Sequence, residues 1–265
     1  MLDLHTHSSA SDGRQTPREL VWQAKARGLK GIALTDHDTL AGIREAFATG
    51  LEIGVAVLPG VELSAEWGEQ DVHILGYWVS QKHRDLTDLM QRLRCDRANR
   101  VAKIVQRLGA LGLPLTMAEV VTAATSHTDS LGRPHVARAL VARGYVDSME
   151  AAFARYLDRG RPAYVPRYKL GPEDAVMAIV GGGGVAVWAH PGALASDLIE
   201  PLVEAGLTGI EVFHPHHDPA REAALSGLAL RYGLVITGGS DAHDAAELGI
   251  RNIGLNTWFE LWSRK

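Results

Sequence analysis

Near the start of the sequence, the stretch Leu2-Asp3-Leu4-His5-Thr6-His7 joins a short β-strand pattern directly to a pair of histidines. The same order returns at Gly31-Ile32-Ala33-Leu34, where a buried-strand pattern is followed three residues later by His37. Between the two strands, residues 17–27 follow a hydroxyl cap at Thr16 and begin with a proline, which are signals of a helix. A strand, a helix and a second strand in succession predict a parallel sheet whose strands end in chemically active side chains.

This alternation of strands and helices continues along most of the sequence. Further strand patterns occupy about residues 54–58, 71–79, 185–188, 209–213 and 234–237, and further helical patterns occupy about residues 40–49, 172–180, 198–205 and 219–232. About six or seven such units fit an α/β fold that closes into a barrel slightly smaller than the eight-unit barrel. An open sheet is the alternative, because strand patterns alone do not show whether a sheet closes.

One long segment interrupts the alternation with helices alone. Between about residues 82 and 161 the sequence carries no convincing strand, whereas Leu93, Val101 and Ile104 keep a helical spacing. Shorter helical patterns follow near residues 117–124, 134–143 and 148–156. We therefore predict a discontinuous barrel that carries a helical insertion. The predicted boundaries are residues 1–98 and 171–265 for the barrel and residues 99–170 for the insertion.

The composition excludes several classes of protein. Of the 265 residues, 46% are hydrophobic and 22% are charged, which is typical of a globular chain and not of a disordered one. The formal net charge of −4 argues against a protein that coats long nucleic acids, since phosphate backbones are bound mainly by basic side chains. The single cysteine, Cys95, cannot form a disulfide within the chain, and no apolar run is long enough to span a membrane. We expect a cytoplasmic protein without a membrane partner, and its oligomeric state stays open.

Histidines and acids cluster where the predicted strands end. The candidates are His5, His7, Asp12, His37, Glu62, His190, Glu211, Asp241 and His243, together with His73 inside a strand. In parallel α/β architectures the strand ends converge on one face, where active sites lie. Imidazole and carboxylate ligands without thiolates suit Mn²⁺, Zn²⁺ or Fe²⁺. Their number exceeds one tetrahedral site and predicts two or three divalent metal ions with a bridging carboxylate.

A set of motifs carries these residues. They are Asp3-Leu4-His5-Thr6-His7-Ser8 with Ser11-Asp12-Gly13, Ala33-Leu34-Thr35-Asp36-His37-Asp38, Pro59-Gly60-Val61-Glu62, Val72-His73-Ile74-Leu75-Gly76-Tyr77, Ala189-His190-Pro191 and Gly239-Ser240-Asp241-Ala242-His243. As a set they resemble the motifs of the PHP (polymerase and histidinol phosphatase) phosphoesterases, and the resemblance covers the whole sequence, including the helical insertion. The most similar branch contains stand-alone bacterial 3′,5′-nucleotide bisphosphate phosphatases and 5′-to-3′ exonucleases.

The resemblance implies a distorted (β/α)7 TIM-like barrel with a small helical insertion domain and up to three metal ions. By that resemblance, one ion is held by His5, His7, Glu62 and Asp241. A second ion is held by Asp12, His37 and His243, and a third by Glu62, His73 and His190, so that Glu62 bridges two ions. Mn²⁺ is the expected metal, with Zn²⁺ or Fe²⁺ as alternatives.

The insertion is expected to recognise the substrate as a cap over the metals. Gly132-Arg133-Pro134-His135 resembles a motif that faces the metals in this branch of the family, and Arg133 and His135 are the predicted contacts. An arginine is suited to clamp a second phosphate through two parallel hydrogen bonds, beyond the phosphate that is cleaved. The alternative is an ordinary helix start, with Pro134 in the first turn.

Other candidate contacts lie outside this motif. His217 matches a histidine that the family uses to contact phosphate, whereas His214 and His216 are expected to face solvent. Arg167 and Lys169 are further candidates for phosphate binding. Arg92, Arg100, Lys103 and Arg107 share one helical face, which we interpret as a solvated face opposite an apolar stripe.

Together these features predict a metal-dependent phosphoesterase that acts on small phosphorylated nucleotides. A hydroxide activated by the metals is expected to attack the 3′-phosphate of a 3′,5′-bisphosphonucleotide such as adenosine 3′,5′-bisphosphate (pAp), leaving AMP. The alternatives are a 5′-to-3′ exonuclease on short RNA or DNA oligonucleotides, a histidinol-phosphate phosphatase and a non-catalytic metal- or nucleotide-binding module. No long nucleic-acid track is expected, because the net charge is acidic.

Overall fold

A computed structural model describes residues 1–80, 82–124, 128–192 and 195–265 of the chain. In these residues, seven strands form one sheet whose spatial order follows the order of the sequence. The strands are β1 (Leu2–Thr6), β2 (Gly31–Leu34), β3 (Ala56–Trp67), β4 (Gln70–Tyr77), β5 (Val185–Ala189), β6 (Gly209–Phe213) and β7 (Val235–Gly238). Each of them overlaps a predicted strand, and β3 is much longer than its predicted part.

The sheet is parallel at both ends and antiparallel in its middle. β1, β2 and β3 run parallel to one another, as do β5, β6 and β7. β4 runs antiparallel to both β3 and β5. Trp67 pairs with Gln70, so a turn of two residues returns the chain beside the strand that it leaves. β4 is therefore the exception to the predicted series of parallel strand–helix units.

The two ends of the sheet meet. Thr6 at the end of β1 forms a parallel bridge with Ala242, just beyond β7, and the N–H of His7 donates to the carbonyl oxygen of Ala242 at 3.0 Å. The strands therefore make a nearly closed barrel, which confirms the predicted α/β barrel and removes the open-sheet alternative. Closure directs one set of side chains from every strand into a shared interior.

Two apolar layers position the side chains of the barrel. One cluster draws residues from most of the strands and fills the interior, and it includes Leu75 and Tyr77 of β4. Another cluster lies between the sheet and the helices, and it includes Val72 and Ile74 of the same strand. Because successive side chains of a strand point to opposite faces, His73 lies on the interior face with Leu75.

Helices cover the barrel and build the insertion. They are α1 (Pro17–Ala26), α2 (Ile43–Ile53), α3 (Arg84–Ala110), α4 (Met117–Ala123), α5 (Arg133–Ala142), α6 (Met149–Ala152) with a π-helical turn (Phe153–Leu157), α7 (Pro172–Gly181), α8 (Ala195–Glu204), α9 (Pro219–Tyr232) and α10 (Asn256–Trp262). The predicted cap of α1 is confirmed, since the Thr16 hydroxyl accepts from the N–H of Glu19 and the Glu19 carboxylate accepts from the N–H of Thr16. The sequence does not predict α10, because this short helix buries only Thr257 and Leu261 and so shows no sustained period.

A separate apolar cluster joins the helices of the insertion, among them α3 through Ile104 and α5 through Val136. The earlier part of α3 packs instead on the barrel cluster, through Leu86 and Met90. α3 therefore runs unbroken from one cluster to the other, and the predicted boundary at residue 98 falls inside this helix. The domain boundaries stay a prediction, and residues 125–127 of the predicted insertion lie outside the described residues.

The basic face of α3 is only partly solvated. Arg100 is buried, and its Nε donates to the carbonyl oxygen of Val165 at 2.6 Å. Arg107 is exposed and donates to the carbonyl oxygen of Tyr164. The prediction of a solvated face is therefore wrong for Arg100, because the segment that leads back to the barrel crosses over this part of α3.

Candidate metal centre and arginine cavity

The residues predicted as metal ligands meet at one end of the barrel. They are His5, His7, Asp12, His37, Glu62, His73, His190, Asp241 and His243. Glu62 of β3 is buried and lies at the centre of the group. Its Oε1 lies 2.8 Å from His73 Nδ1 and 3.2 Å from His190 Nε2. Its Oε2 lies 2.9 Å from His37 Nδ1 and 3.2 Å from His7 Nε2.

Within the described ranges, three groups of these side chains place possible ligand atoms within 4.8 Å of one another. They are His5, His7, Glu62 and Asp241; His7, Asp12, His37 and His243; and His37, Glu62 and His73. His7 belongs to two groups because its two ring nitrogens face different ways. Its Nε2 lies 3.0 Å from Asp241 Oδ1, and its Nδ1 lies 3.9 Å from Asp12 Oδ1.

Several buried atoms of these groups lack a well-formed hydrogen bond. Within the part of the chain that the structure describes, His7 Nδ1, His37 Nδ1 and Glu62 Oε2 make none, although His37 Nδ1 and Glu62 Oε2 lie 2.9 Å apart. Each buried, unpaired polar atom costs about 1–3 kcal/mol, so a cluster of them needs a compensating partner. Carboxylate oxygens and imidazole nitrogens are ligands of Mn²⁺, Zn²⁺ and Fe²⁺. The side chains present therefore fit divalent metal ions.

His73 reaches this centre because β4 is reversed. It lies near the beginning of β4 and pairs with Ser64 of β3 and Ala189 of β5. Since β4 runs antiparallel to both neighbours, its beginning lies at the end of the barrel where the neighbouring strands deliver their own site residues. This direction explains why His73, unlike the other candidates, lies inside its predicted strand.

The backbone is strained where it presents the site. His190 and Asp241 have positive φ angles of 31° and 51°, a conformation that costs a non-glycine residue about 1–3 kcal/mol. The N–H of His190 donates to Glu211 Oε2 at 2.8 Å, which fixes the turn after β5. At Gly239, a Cβ atom would lie 2.4 Å from the Cβ of His5. The chain before Asp241 passes this close to β1 only because residue 239 has no side chain.

Two buried acids that are not among the predicted ligands hold the ligand-bearing loops. Asp36 accepts hydrogen bonds from the N–H and the hydroxyl of Ser8, at 2.8 Å and 2.7 Å, in the loop that carries Asp12. Asp3 accepts from the N–H and the hydroxyl of Ser240, at 2.9 Å and 2.5 Å. Burial raises the pKa of Asp3 to about 6. The motifs contained both acids, but their supporting role becomes visible only in the structure.

Glu211 of β6 orients the first histidine. Both of its carboxylate oxygens lie 3.2 Å from His5 Nδ1, while His5 Nε2 lies 3.4 Å from Asp241 Oδ1. A histidine that bonds a carboxylate through one ring nitrogen presents the other nitrogen to a metal in a fixed orientation. The strand-end pattern pointed to Glu211 as a possible ligand, and its contacts identify it as the partner of a ligand.

The charges of the centre depend on one another. Burial by itself would lower the pKa of His7, but contacts with the carboxylates of Asp241 and Glu62 outweigh it and raise the pKa to about 10. Burial lowers the pKa of His73 to about 4, against the attraction of Glu62. Burial would raise the pKa of Glu62, yet His37 and His73 hold it well below its usual range. Glu62 is therefore ionised, and a metal must displace a proton from His7 to bind there.

A cavity of about 110 Å³ opens beside this centre. Its lining residues are Asp12, His37, Asp71, His73, Arg97, Arg100, Arg133, Pro134, Phe153 and Arg167, and we name it the arginine cavity. α3 supplies Arg97 and Arg100, α5 begins with Arg133, and Arg167 lies on the segment before α7. The structure thus brings the predicted contacts Arg133 and Arg167 together next to predicted metal ligands.

Two carboxylates balance part of the arginine charge. Asp38 Oδ2 accepts from Arg97 Nε at 2.5 Å. Asp71 Oδ1 lies 2.6 Å from Arg167 Nη2, and Asp71 Oδ2 accepts from Arg133 Nη2 at 3.1 Å. When the predicted metal ligands are not counted, the lining has four positive guanidinium groups and these two carboxylates offset two of them. Two positive charges are then in excess. That excess matches a phosphate dianion.

The pKa values of the lining residues are consistent with an excess of positive charge in the cavity. Burial and the neighbouring Arg133 and Arg167 lower the pKa of Arg100 to about 10, because they disfavour another positive charge there. Although burial opposes ionisation of Asp71, Arg167 and Arg133 hold its pKa far below the usual range. The cavity is therefore a place where an anion is favoured and a cation is not.

Two other predicted substrate contacts have different surroundings. Lys169 is 72% exposed, and its Nζ lies 3.8 Å from Glu66 Oε1, outside the described lining of the arginine cavity. His135 is buried, and its Nδ1 accepts from the N–H of Gly132 at 2.9 Å. Its Nε2 then carries the proton and donates to the carbonyl oxygen of Ser11 at 3.1 Å. Both ring nitrogens of His135 are thus engaged by the backbone.

A larger cleft of about 340 Å³ lies on another side of the predicted ligands. Its lining residues are His190, Pro191, Gly192, His214, His216, His217, Arg221 and Asp241, and we name it the imidazole cleft. His217 lies here, with Nδ1 donating to the carbonyl oxygen of Val212 at 2.8 Å. The predicted phosphate contact of His217 is therefore close to the metal ligands but apart from the arginine cavity.

The two histidines expected to face solvent differ. His216 is exposed, as predicted. His214 is only 2% exposed, and its Nε2 lies 3.6 Å from Asp241 Oδ2. The prediction is wrong for His214, because the loop after β6 folds its ring against that of His190, with ring centres 5.1 Å apart.

The comparison with known families agrees with this geometry. A family model described as PHP domain matches residues 3–158, more than half of the chain. The chain belongs to the PHP domain family. This PHP domain protein is accordingly a phosphoesterase, a hydrolase of phosphate esters, with histidine and acid clusters that are able to bind metal ions.

Curated relatives of this PHP domain protein match over most of its length. It is 39% identical over 261 residues to a 3′,5′-nucleoside bisphosphate phosphatase of Chromobacterium violaceum, which covers 96% of this chain and 90% of the relative. It is 35% identical over 248 residues to a 5′-3′ exoribonuclease of Haemophilus influenzae (91% and 89%). It is 39% identical over 247 residues to a phosphoribosyl 1,2-cyclic phosphate 1,2-diphosphodiesterase of Eggerthella lenta (91% and 93%). The predicted family and enzyme class are confirmed.

A solved structure shares the fold of this PHP domain protein throughout. The chain superimposes on a proposed metal-dependent phosphoesterase of Bifidobacterium adolescentis with a TM-score of 0.94 and 33% sequence identity. The match covers 99% of this chain and 96% of the other, so the helical insertion is included. Among the described residues, no helix combines the length and apolar character that crossing a bilayer requires.

Sequence reasoning missed three charged residues of the arginine cavity in this PHP domain protein. Asp71 lies two residues before His73, a spacing that places both on one face of a strand, so the sequence contained a signal for it. Arg97 and Arg100 are three residues apart on α3 and share a helical face. Their sequence spacing did not show which part of the barrel that face meets.

Proposed function

We propose that this PHP domain protein removes the 3′-phosphate of 3′,5′-bisphosphonucleotides such as pAp, releasing AMP and phosphate. The observation that carries the proposal is the arginine cavity, which adjoins the predicted metal ligands and has an excess of two positive charges when those ligands are not counted. A substrate with one phosphate leaves this excess unmatched, whereas a second phosphate neutralises it. The Chromobacterium violaceum relative, named for 3′,5′-nucleoside bisphosphates, supports the same substrate class.

The size of the arginine cavity supports a terminal phosphate as its occupant. Its volume is about 110 Å³, and a cavity of about 150 Å³ in another protein holds one benzene molecule. A phosphate group fits such a space and a nucleoside does not. The nucleoside of the substrate is then left outside the cavity, with its 3′-phosphate at the metal centre.

We assign the ligand roles from the three groups of contacts. One ion is held by His5, His7, Glu62 and Asp241; a second by Asp12, His37 and His243 with His7; and a third by Glu62, His73 and His190 with His37. Divalent ions, with Mn²⁺ as the expected metal, lower the pKa of a coordinated water and neutralise charge on the phosphoryl oxygens. Glu211, Asp3 and Asp36 keep the ligand-bearing segments in place.

The remaining residues bind the substrate. Arg133 and Arg167 hold the second phosphate through paired N–H groups, which a planar guanidinium presents at fixed spacing. His217 contacts the cleaved phosphate. Because its Nδ1 donates to Val212, this contact requires a second proton on Nε2, which a bound phosphate must favour against the burial that lowers the pKa of His217. Lys169 and His135 are left out of the substrate contacts, and His135 supports the loop of Asp12 through Ser11.

The test is a product analysis with Mn²⁺-loaded protein. We expect equal amounts of AMP and phosphate from pAp, and a much higher kcat/KM for pAp than for 3′-AMP, which lacks the second phosphate. The Glu62→Gln protein, purified in the same way, is the control for a contaminating phosphatase. Release of no AMP from pAp, or equal kcat/KM for pAp and 3′-AMP, would refute the proposal.

A 5′-to-3′ exonuclease on short oligonucleotides is the second candidate, and the imidazole cleft favours it. This cleft is more open than the arginine cavity and gives the remainder of a chain a path away from the metals. The Haemophilus influenzae relative is named a 5′-3′ exoribonuclease. Stepwise release of 5′-mononucleotides from a 5′-phosphorylated trinucleotide, faster than AMP from pAp, would make this activity the main one.

The predicted alternative of histidinol-phosphate hydrolysis has less support. That substrate carries one phosphate and a cationic amine, so it leaves the excess charge of the arginine cavity unmatched. We propose the cytoplasm as the place of action, supported by the single cysteine. A small nucleotide or a short oligonucleotide is the proposed partner.

A further inference from the structure

We propose that Asp71 is a positioning residue that sets the preference for a doubly phosphorylated substrate. Because it concerns the second phosphate, this role rests on the proposed function. The carboxylate of Asp71 contacts Arg167 at 2.6 Å through one oxygen and Arg133 at 3.1 Å through the other. One side chain of the barrel thereby joins two arginines that are far apart in the sequence.

β4 ties this carboxylate to the metal centre. Asp71 and His73 are two residues apart on β4, so their side chains share a face and lie about 6.6–6.8 Å apart along the strand. His73 Nδ1 in turn contacts Glu62 Oε1 at 2.8 Å. The strand therefore fixes the separation between the arginine pair and the metal ligands. Two phosphates on one ribose are also held at a set separation by the sugar between them.

Arg133 depends on Asp71 for its position. Among the described residues, its other hydrogen bond is a longer one, 3.5 Å to the carbonyl oxygen of Leu157. Its guanidinium carbon lies 5.7 Å from the ring centre of Phe153, a contact that does not fix the direction of the N–H groups. A guanidinium has five N–H donors, so contact with Asp71 leaves donors for a phosphate. Asp71 thus orients Arg133 without using up its binding capacity.

A simpler role for Asp71 makes the opposite prediction. If its carboxylate only balanced charge, removing that charge would make the cavity more positive and would strengthen the binding of every phosphate. If it positions the arginines, removing the charge weakens binding of the second phosphate despite the more positive cavity. The direction of the change in affinity therefore separates the two roles.

The experiment compares Asp71→Asn with the wild-type protein in two measurements. The first is the Kd of pAp for chelator-treated protein by calorimetry, and the second is kcat/KM of Mn²⁺-loaded protein for pAp and for p-nitrophenyl phosphate. We expect Asp71→Asn to raise both the Kd and the KM for pAp by about tenfold, the loss that a charged hydrogen bond brings. The kcat/KM for p-nitrophenyl phosphate should stay within about twofold. Asp71→Glu, which keeps the charge, should recover part of the affinity.

Glu66→Gln is the control for a general loosening of the insertion. Glu66 lies opposite Asp71 in the β3–β4 pairing and contacts Arg159 at 3.2 Å, but it is not in the described lining of the arginine cavity. Although Glu66 is buried, the same chemical change there should leave the Kd and KM for pAp within about twofold, because Arg133 and Arg167 keep Asp71 as their anchor. An equal loss in Glu66→Gln would show a general loosening of the insertion and would overturn the proposal.

Unchanged or tighter binding of pAp by Asp71→Asn also overturns it. If Asp71→Asn does not fold, as judged by circular dichroism, Asp71→Glu carries the comparison, and an unchanged Kd and KM in that variant counts against a positioning role. Wild-type protein that binds pAp without releasing AMP refutes the proposed function, while the Kd values still decide the role of Asp71. Wild-type protein that neither binds pAp without metal nor hydrolyses it with Mn²⁺ refutes both.

Discussion

The metal centre and the arginine cavity adjoin each other but are held in place by different means. In the metal centre, short histidine and acid side chains leave the strand ends of the barrel, and buried groups such as Glu211 and Asp36 fix them. In the arginine cavity, long side chains reach in from helices and from a connecting segment. There Asp38 anchors Arg97, and Asp71 anchors Arg133 and Arg167. The carbonyl oxygen of Val165 anchors Arg100.

If the proposed roles hold, reactivity and substrate preference are separable in this fold. A change among the ligands alters the reacting centre and should affect every phosphate ester. By the proposed function, a change among the arginines should alter only the binding of the second phosphate. The expected effects therefore differ in kind as well as in size.

The largest effect is expected from Asp241→Asn, which removes a negative charge 3.0 Å from His7 Nε2. We expect kcat to fall about a thousandfold or more for pAp and for p-nitrophenyl phosphate alike, since a catalytic ion contributes several kcal/mol and each 1.36 kcal/mol is tenfold. Steady-state kinetics with metal analysis of the same sample checks this. A fall in kcat for pAp alone would contradict this prediction, because Asp241 would then affect substrate preference and not the reacting centre.

The second effect is expected from Arg133→Ala. Loss of a charged hydrogen bond costs about 1.5–3 kcal/mol, which is about 10- to 150-fold in kcat/KM for pAp. The kcat/KM for p-nitrophenyl phosphate should change little, since that ester has no second phosphate. Arg133→Lys is the control, because it keeps the charge but not the paired donors. Equal losses on both substrates would show that Arg133 acts on the reacting centre.

A third prediction concerns His135, which joins the insertion to the loop of Asp12. Burial lowers the pKa of His135 to about 4, below its ordinary value of 6.5. The stability that depends on neutral His135 is therefore fully present above pH 6.5 and is lost as the pH falls toward 4. At pH 5 the free energy of unfolding has fallen by about 2 kcal/mol. We expect His135→Gln to remove this part of the pH dependence, measured by urea unfolding of metal-free protein at pH 5 and pH 8. If the free energy of unfolding changes as much between pH 5 and pH 8 in His135→Gln as in the wild-type protein, the prediction is contradicted.

The smallest effect is expected from Arg221→Ala in the imidazole cleft. Arg221 Nη1 donates to the carbonyl oxygen of Gly192 at 2.9 Å and lies at the more open side of the centre. Loss of one exposed phosphate contact costs about 1 kcal/mol or less, so kcat/KM for a 5′-phosphorylated trinucleotide should fall by about fivefold. The value for pAp should stay within about twofold. An equal loss for pAp would place the small substrate in the imidazole cleft.

Much of the site could be read from the sequence, because its residues lie in short motifs at strand ends. His5, His37 and Asp241 each follow a strand pattern by a few residues, and the ends of neighbouring strands meet in a barrel. His73 shows where such reasoning stops. It lies inside a strand, so the strand-end pattern does not predict it as a ligand. The family resemblance does. The reversal of β4 by the turn between Trp67 and Gln70 explains its place.

His214 and Arg100 show a second kind of limit. Each lies in a polar, charged stretch that is typical of a solvated surface, and each is buried in the structure. Their burial depends on a loop and a returning segment that cross over them. The burial of polar residues leaves no hydrophobic periodicity in the sequence. It depends on the packing of distant segments, which the sequence pattern does not show.

The imidazoles and carboxylates of this protein, and the strand ends at which they lie, follow from the amino-acid sequence alone. A motif of a few residues is enough for that, because it specifies both the strand and the side chain that follows it. The cavity that Arg97, Arg100, Arg133 and Arg167 line together with Asp71 is visible only in the folded chain. Those residues come from separate segments, and their meeting depends on how the insertion packs over the barrel.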